Sequence, residues 1–462
     1  MSDLRQLLHR TADHVAAYRE AAAEAPVATD VDLARLRADL GGPLETAGRP
    51  AAEVVERLVA AAAPGLVTTT GPRYFGFVTG GALDAATCAD MLAAGWDQAA
   101  FNAVLSPAAA VAEEVAGGWL KELLGLPATA SFGFVTGGQA ANTVGLAAAR
   151  HAVLARAGWD VEKGGLGGAP ALRVVAGEER HATIDRSLRL LGIGTDALRL
   201  AAAGSNGGIE VGALREVLAE DPDRPTIVCL QAGNVNTGAC DSLGAACGVA
   251  RRHGGPTWVH VDGAFGLWAA ANPASRAQVA GIELADSWAT DGHKWLNVPY
   301  DSGYVFCAEP EAHAAAMSLT AAYLVGQGDG TVRAPSAYVT ESSRRARGFA
   351  TWAALQELGR DGVAALVERC CRLARRFAAA LGDVEGVTIA NEVVLNQVLV
   401  DFGGAARTDR VIAAVQAGGT CWMGGTTWRG RRLMRISVSN WSTCEADVDR
   451  SVAAIRQALG AA

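Results

Sequence analysis

Two stretches of the sequence decide the fold: residues 258–264 read WVHVDGA, and residues 291–296 read DGHKWL. The first has the apolar character of a buried strand and ends on an acidic residue, Asp262. The second carries Lys294 about one strand–helix unit further along the chain. In a parallel sheet, polar residues that follow buried strands lie at the edge where ligands bind.

Lys294 also stands out by composition. The chain has 40 basic residues, and only three of them are lysines. A sequence so biased toward arginine uses it wherever a positive charge is enough, so a lysine in apolar surroundings is a candidate for nucleophilic attack on a carbonyl. Lys121 lies on an amphipathic helix and Lys163 in a glycine-rich linker, whereas Lys294 lies between apolar segments.

From about residue 85 to residue 330, helical patterns alternate with short apolar runs, which is typical of a mostly parallel α/β sheet. Helices without a core of their own precede this region and are expected to pack on something else, such as a second subunit. A long helix, two or three strands and a final helix follow it and indicate a small α+β domain. The predicted domains are an N-terminal dimerisation segment, a large α/β domain and a C-terminal domain, with bounds 1–75, 76–350 and 351–462.

Composition excludes several classes of protein. Half of the 462 residues are hydrophobic and 19% are charged, as in globular proteins. The net charge is −8 and no basic stripe is present, so we expect no nucleic-acid partner. No stretch of about 20 apolar residues lacks a charge or a breaker, so we expect no membrane span. The nine cysteines match no zinc pattern, which predicts reduced thiols in the cytoplasm and no metal site.

The pair Asp262 and Lys294 indicates a pyridoxal phosphate site. The lysine would form a Schiff base with the cofactor, and the aspartate would pair with the protonated pyridine nitrogen and keep the ring an electron sink. Taken singly, Asp262 could cap a helix and Lys294 could be a salt-bridged surface residue. Together, in this order and setting, they favour the cofactor.

Three weaker motifs each have an ordinary alternative. Gly137 and Gly138 follow an apolar run and open a helix, which makes an anion site or a plain strand-to-helix turn. His181 follows a strand and could stack on the cofactor ring, or it is a surface or core histidine. Residues 233–238, GNVNTG, could hydrogen-bond a ligand or form a turn.

The order of these motifs resembles the group II pyridoxal-phosphate decarboxylases of fold type I, which include aromatic amino-acid, tyrosine, glutamate and diaminobutyrate decarboxylases. The resemblance covers most of the chain and rests on GPRYFG at 71–76, SPA at 106–108, TGGQ at 136–139 and HKW at 293–295. It implies a mostly parallel seven-stranded sheet in the large domain. It also implies an obligate homodimer with the active site at the subunit interface.

The resemblance also implies site residues. Lys294 carries the cofactor, Asp262 holds the pyridine nitrogen and His181 stacks on the ring. The other implied cofactor contacts are Gly138, Gln139, Asn234, Ala264, Asp291 and His293. The substrate pocket is expected to include Phe75, Phe77, Gly80 and, from a neighbouring subunit, Phe101.

Three departures from the family pattern bear on the site. Asn234 stands where many members have threonine or serine. Asp291 stands where many members have the asparagine of N-P-H-K, and its charge would repel a phosphate, so we expect it to point away. The segment between Tyr323 and Arg344 is about two residues shorter than in the aromatic enzymes. Tyr338 is the expected match to the loop tyrosine that protonates the substrate carbon, and residues 326–330 predict a mobile lid.

We therefore predict a cytoplasmic decarboxylase that converts an L-amino acid to the amine and carbon dioxide, with an aromatic or long apolar side chain favoured. Arg73 could instead select an acidic side chain, and Arg435 is expected to be structural. Alternatives are oxidative decarboxylation to an aldehyde, aldol-type lysis or transamination with the same cofactor. A non-catalytic relative that binds a ligand is a further alternative.

Overall fold

The computed structural model describes residues 3–29, 31–319 and 333–461. The strands found there are β1 Ser131–Val135, β2 Arg173–Gly177, β3 Leu198–Ala201, β4 Thr226–Gln231, β5 Thr257–Asp262, β6 Ser287–Asp291, β7 Gly303–Cys307, β8 Thr388–Ile389, β9 Gln397–Asp401, β10 Gly424–Trp428 and β11 Arg431–Ser437. The helices found there are α1 Asp3–Ala21, α2 Leu33–Leu40, α3 Ala51–Ala62, α4 Asp84–Trp96, α5 Pro107–Leu123, α6 Gly138–Arg156, α7 Val161–Gly164, α8 Ala182–Leu190, α9 Val211–Ala219, α10 Leu243–Ala250, α11 Pro310–Met317, α12 Gly348–Gly382, α13 Ala405–Gly418 and α14 Glu445–Gly460.

Seven strands of the described chain form one sheet in the order β1-β7-β6-β5-β4-β2-β3. The five strands β2 to β6 are all parallel to their neighbours among themselves, and β7 is antiparallel to both β6 and β1. Strands β1, β6 and β7 are buried along their whole length, as expected for a sheet covered on both faces. The predicted α/β class with a mostly parallel seven-stranded sheet is confirmed.

The chain divides into two compact units. One comprises residues 82–375 and 391–398 and contains the seven-stranded sheet. The other comprises residues 1–81, 376–390 and 399–462 and contains most of a smaller sheet in the order β10-β11-β9-β8.

The C-terminal region contains the four strands β8 to β11, whereas the sequence indicates two or three. Residues 424–428 read GGTTW and pair antiparallel with β11. Two glycines weaken a strand signal, because they add backbone entropy and supply no side chain to pack. Helix α12 begins at Gly348. The helix is interrupted at Gly359, where φ is 60°, so the apolar pattern breaks there.

The N-terminal helices expose much of their apolar surface. Helix α1 contains no buried residue, and Leu4 and Leu8 are 64% and 58% exposed. Leu58 on α3 is 57% exposed. Within the described ranges, no helix is both long and apolar enough to cross a membrane.

Candidate active site

Asp262 and Asp291 end the neighbouring parallel strands β5 and β6, and Lys294 follows three residues after β6. The carboxyl ends of parallel strands meet at the same edge of the sheet. Burial disfavours the charged form of Lys294, but the charges of Asp291 and, to a smaller extent, Asp262 raise its pKa above the ordinary value. The fold therefore brings together the two residues that the sequence singles out as a pair.

A hydrogen-bond network holds the Asp262 carboxylate. Asn142 Nδ2, on α6, donates to Asp262 Oδ2 at 3.0 Å, and Thr183 Oγ1 lies 3.4 Å from the same oxygen. The Ala264 backbone N–H donates to Oδ1 at 3.2 Å. Asp262 is only 4% exposed, and three donors converge on its carboxylate, so the side chain is fixed in one orientation.

The first turn of α6 lies beside Asp291. The Gly138 backbone N–H donates to Asp291 Oδ1 at 2.5 Å. The expectation that Asp291 points away from this helix end is therefore wrong: the side chain faces it. The reason is that Asp291 is 1% exposed and finds three partners there: the Gly138 N–H, the Lys294 ammonium, whose Nζ lies 2.8 Å from Oδ2, and the His293 ring, whose Nε2 lies 3.4 Å from Oδ1.

His293 and Ala264 line the same edge through different contacts. His293 Nδ1 accepts from the Ser302 N–H at 3.1 Å, and its ring stacks on Tyr300 with centroids 4.3 Å apart. Burial lowers the pKa of His293 below its ordinary value. The Ala264 carbonyl accepts from the Asp291 backbone N–H at 2.9 Å, which ties the segment after β5 to the end of β6.

His181 lies at the start of α8, where its Nδ1 accepts from the Thr183 N–H at 3.3 Å. The same nitrogen lies 2.9 Å from Thr183 Oγ1, which also contacts Asp262. His181 is exposed and lines, with Asp262, a small pocket at this edge of the sheet. The imidazole therefore lies beside a cavity at the edge where Asp262 is held.

The side chains of Gln139 and Asn234 are engaged within the protein. Gln139 Nε2 donates to Ser187 Oγ at 2.9 Å, so this side chain links α6 to α8. Asn234 is 1% exposed, donates to the Glu179 carbonyl and accepts from the Asn236 and Thr237 backbone N–H groups. These bonds favour the turn interpretation of residues 233–238.

Tyr338 ends a short 3₁₀ helix, Pro335–Tyr338. Its ring packs edge-on against His313 and under the Arg333 guanidinium, and its carbonyl accepts from His313 Nε2 at 2.9 Å. The carbonyl of Phe101 accepts from the Ser336 N–H at 3.1 Å, next to this helix. Within the described part of the chain, these contacts connect Tyr338 to α11 and not to Lys294. Tyr323 and the predicted lid at 326–330 lie outside the described residues.

Phe75, Phe77 and Gly80 belong to the other compact unit. Phe75 is 1% exposed and packs edge-to-face on Phe377. Phe77 is 66% exposed and stacks on Trp422 with centroids 5.3 Å apart. Phe75 is thus a core residue of its unit, and Phe77 presents an aromatic surface.

Arg73 lies in the interior of the same unit and is 2% exposed. Its guanidinium donates to the carbonyls of Thr420, Ala23 and Ala25, and it lies 3.4 Å from Asp447. Because the guanidinium of Arg73 is already bonded to these carbonyls and paired with this carboxylate, the structure does not favour the alternative in which Arg73 selects an acidic substrate.

The geometry fits a pyridoxal phosphate. A Cβ placed on Gly137 would lie 2.8 Å from His293 Cε1, and one on Gly138 would lie 2.9 Å from Asp291 Oδ2, so these two side chains lie against bare glycine backbone at the start of α6. Backbone N–H groups at a helix N-terminus bind phosphate well. The amine of Lys294, three residues after β6, and the well-held carboxylate of Asp262, at the end of the neighbouring strand β5, supply the two other groups that the cofactor requires.

Sequence reasoning missed Asn142, which holds Asp262, and His260, which holds Asn142. His260 Nε2 lies 2.9 Å from Asn142 Oδ1, and both side chains are buried. A signal exists for each. His260 is two residues before Asp262 on a strand, so both side chains face the same side, and Asn142 is one helical turn after Gly138.

Comparison with known proteins agrees with this geometry. Residues 43–402 match the model of the pyridoxal-dependent decarboxylase conserved domain. The chain is 28% identical over 375 residues to tryptophan decarboxylase 1 of Oryza sativa subsp. japonica, covering 77% of this chain and 72% of that protein. It is 27% identical over 397 residues to the aromatic-L-amino-acid decarboxylase of Bacillus atrophaeus, covering 84% of this chain and 80% of that protein.

A solved structure of the Oryza sativa TDC with PLP and tryptamine superposes with a TM-score of 0.91 at 24% identity, covering 99% of this chain and 98% of the other. This likeness shows the fold. The family match over most of the chain shows more: the protein belongs to the pyridoxal-dependent decarboxylase family. It is a pyridoxal-phosphate-dependent amino-acid decarboxylase, as the sequence predicts.

Proposed function

We propose that the protein decarboxylates an aromatic L-amino acid to the corresponding amine and carbon dioxide. The observation that carries this proposal is that Asp262 ends β5 and that Lys294 lies three residues after the neighbouring parallel strand β6. The bound cofactor supplies an electron sink for the pair of electrons left when carbon dioxide departs. Asp262 holds a proton at the cofactor's ring nitrogen, and Lys294 is the attachment point.

The other residues bind and orient. Gly138 and the backbone N–H of Gln139 hold the phosphate at the positive end of α6. His181 covers one ring face from the start of α8, and Ala264 and His293 shape the edge around it. Asn234 acts through the turn that it closes. From the family resemblance alone, we assign to Tyr338 the delivery of a proton to the substrate carbon, which would direct the reaction to an amine. The contacts of Tyr338 within the described residues are with Arg333 and His313.

Two features support an aromatic substrate. Several relatives are named for tryptophan, tyrosine or aromatic amino acids. The segment that the family resemblance assigns to the substrate pocket carries Phe77 stacked on Trp422, which also stacks on Tyr74. The engaged guanidinium of Arg73 speaks against an acidic substrate.

We also propose a cytoplasmic homodimer with its active site at the interface and Phe101 contributed by the neighbouring subunit. The exposed leucines of α1 and α3 support this proposal, because burying them against a second copy would remove apolar surface from water. All nine cysteines are free thiols, which fits a reducing compartment. Sedimentation equilibrium of the wild type and of Leu8→Glu tests the dimer. A wild type that sediments with the mass of a single chain contradicts it.

A product screen tests the activity. The cofactor-loaded protein is incubated with the standard amino acids and DOPA, while carbon dioxide, amine, aldehyde and hydrogen peroxide are followed together. We expect equal yields of carbon dioxide and amine from an aromatic substrate, none from Lys294→Ala, and full activity from Lys163→Ala, whose side chain is 88% exposed. Activity confined to acidic or basic amino acids contradicts the substrate assignment.

Oxidative decarboxylation is the competing outcome, since one relative is the phenylacetaldehyde synthase of a Rosa hybrid cultivar, 26% identical over 388 residues. Aldehyde and peroxide in place of amine would identify it. Tyr338→Phe tests the proposed proton donor: a fall in amine yield with a rise in aldehyde supports the role. An unchanged product ratio assigns protonation to another group.

A further inference from the structure

The Asp291 carboxylate occupies the positive end of α6. Gly138 is the first residue of this helix, and its N–H donates to Asp291 Oδ1 at 2.5 Å. Helix α6 has 19 residues and no acidic residue in its own first turn, so Asp291 supplies the negative charge that a helix N-terminus favours. Since a Cβ on Gly138 would lie 2.9 Å from Oδ2, the carboxylate rests against bare glycine backbone.

The same carboxylate holds Lys294. Its Oδ2 lies 2.8 Å from Nζ. Burial disfavours the ammonium, but the charge and hydrogen bond of Asp291 outweigh it, and the pKa of Lys294 is raised above its ordinary value. A protonated amine has no lone pair for attack on a carbonyl. One aspartate therefore engages both groups that the cofactor needs, a backbone donor for its phosphate and the amine for its aldehyde.

We propose that Asp291 is a built-in competitor of the cofactor's phosphate and thereby sets how tightly the protein holds a phosphorylated cofactor. The inference rests on the proposed phosphate site at the start of α6. The carboxylate has to release Gly138 before the phosphate binds there, and two anions in one buried site repel each other. A neutral side chain of the same shape would leave the Gly138 N–H to the phosphate at no electrostatic cost.

The test compares two ligands that differ only in the phosphate. Pyridoxal phosphate and pyridoxal are titrated into cofactor-free wild type and Asp291→Asn, and visible absorbance gives each dissociation constant. Loss of the Lys294 partner affects both ligands alike, so the informative quantity is the ratio of the two affinities. We expect this ratio to rise about tenfold in Asp291→Asn. Inorganic phosphate should also raise the thermal midpoint of the cofactor-free variant more than that of the wild type.

Asp286→Asn is the matched control. Asp286 is also buried, directly precedes β6 and pairs with Arg251 at 2.6 Å. This substitution should lower the thermal midpoint and leave the ratio unchanged. A folded Asp291→Asn with an unchanged or lower ratio overturns the inference. A visible band in the wild type that is lost in Lys294→Ala reports on the cofactor lysine separately, so the two failures are distinguishable.

Discussion

Asn142 fixes the carboxylate of Asp262 through its side-chain amide, which donates to Oδ2 at 3.0 Å. Burial lowers the pKa of His260 to about 4, so the ring is neutral at pH 7 and has one N–H. The Asn142 oxygen can only accept, so that N–H is at Nε2, and Nδ1 accepts from Ser287 Oγ at 2.8 Å. Trp258 Nε1 donates to the same hydroxyl at 2.9 Å. In this series of hydrogen bonds each group donates to the next one, and the last donor, Asn142, donates to Asp262.

Asn142→Ala should weaken cofactor binding. The change leaves a buried carboxylate one hydrogen bond short, which costs about 1–3 kcal/mol. We expect the dissociation constant of pyridoxal phosphate to rise about tenfold, the equivalent of about 1.4 kcal/mol. Titration of the cofactor-free variant measures it. Asn272→Ala removes another buried amide, which donates to Glu368 at 2.9 Å, and should lower stability while cofactor affinity stays at the wild-type value. Equal affinities of Asn142→Ala and wild type would contradict the role of Asn142.

Part of this site is visible in the sequence because its spacing follows from the fold. Asp262 and Lys294 lie one strand–helix unit apart, and parallel neighbours bring such positions to one edge. The side-chain direction of Asp291 is not visible. Charge alone predicts that the Asp291 side chain avoids a phosphate site. Its actual direction depends on the Gly138 N–H, which is distant in sequence and lies beside Asp291 only in the folded protein. Likewise, the strand Gly424–Trp428 is defined by pairing with β11 and not by its own glycine-rich sequence.

Glu113 should contribute far more to stability than Glu122, although both lie on α5. Glu113 is fully buried and pairs with Arg344 at 2.7 Å and with Arg333 at 3.1 Å. Glu113→Gln leaves buried guanidinium charge without its counter-ion, and we expect a loss of about 3–5 kcal/mol. Glu122 pairs with Arg360 at the surface, so Glu122→Gln should cost less than about 1 kcal/mol.

Chemical denaturation of the two variants at the same pH and salt measures both changes in the free energy of unfolding. The two substitutions remove the same charge from the same helix, so net charge and helix propensity cancel in the comparison. Equal losses would contradict the assignment of a buried ion-pair cluster at Glu113.

His313 should make the protein less stable as the pH falls from about 6.5 to about 3. Burial lowers the pKa of His313 to about 3 in the folded state, against an ordinary value of 6.5. Between these values the unfolded chain binds a proton that the folded protein does not, so stability is present above 6.5 and is lost toward 3. The slope for one such group is about 1.4 kcal/mol per pH unit.

The difference between wild type and His313→Gln isolates this contribution. Other groups titrate in the same window: His260 acts in the same direction, and Asp241 acts oppositely because burial raises its pKa to about 6. Both remain in the variant and cancel in the difference. Glutamine retains hydrogen-bonding capacity toward Ser131 and the Tyr338 carbonyl, the two partners of the imidazole. Unfolding curves from pH 7 to pH 4 should have a flatter pH dependence in the variant, and parallel curves would argue against a neutral buried His313.

Gly138→Ala should weaken cofactor binding, whereas Gly118→Ala should not. A Cβ on Gly138 would lie 2.9 Å from Asp291 Oδ2, closer than a methyl carbon and an oxygen can approach, so the helix start or the carboxylate has to move. The phosphate would meet the same methyl group, and we expect the dissociation constant of pyridoxal phosphate to rise about tenfold or more, the equivalent of about 1.4 kcal/mol. Gly118 lies inside α5 with open space around its Cβ position, so Gly118→Ala should raise stability by about 0.5–1 kcal/mol and leave cofactor affinity unchanged. Cofactor titration and thermal unfolding of both variants measure these effects, and wild-type affinity in Gly138→Ala would place the phosphate away from the start of α6.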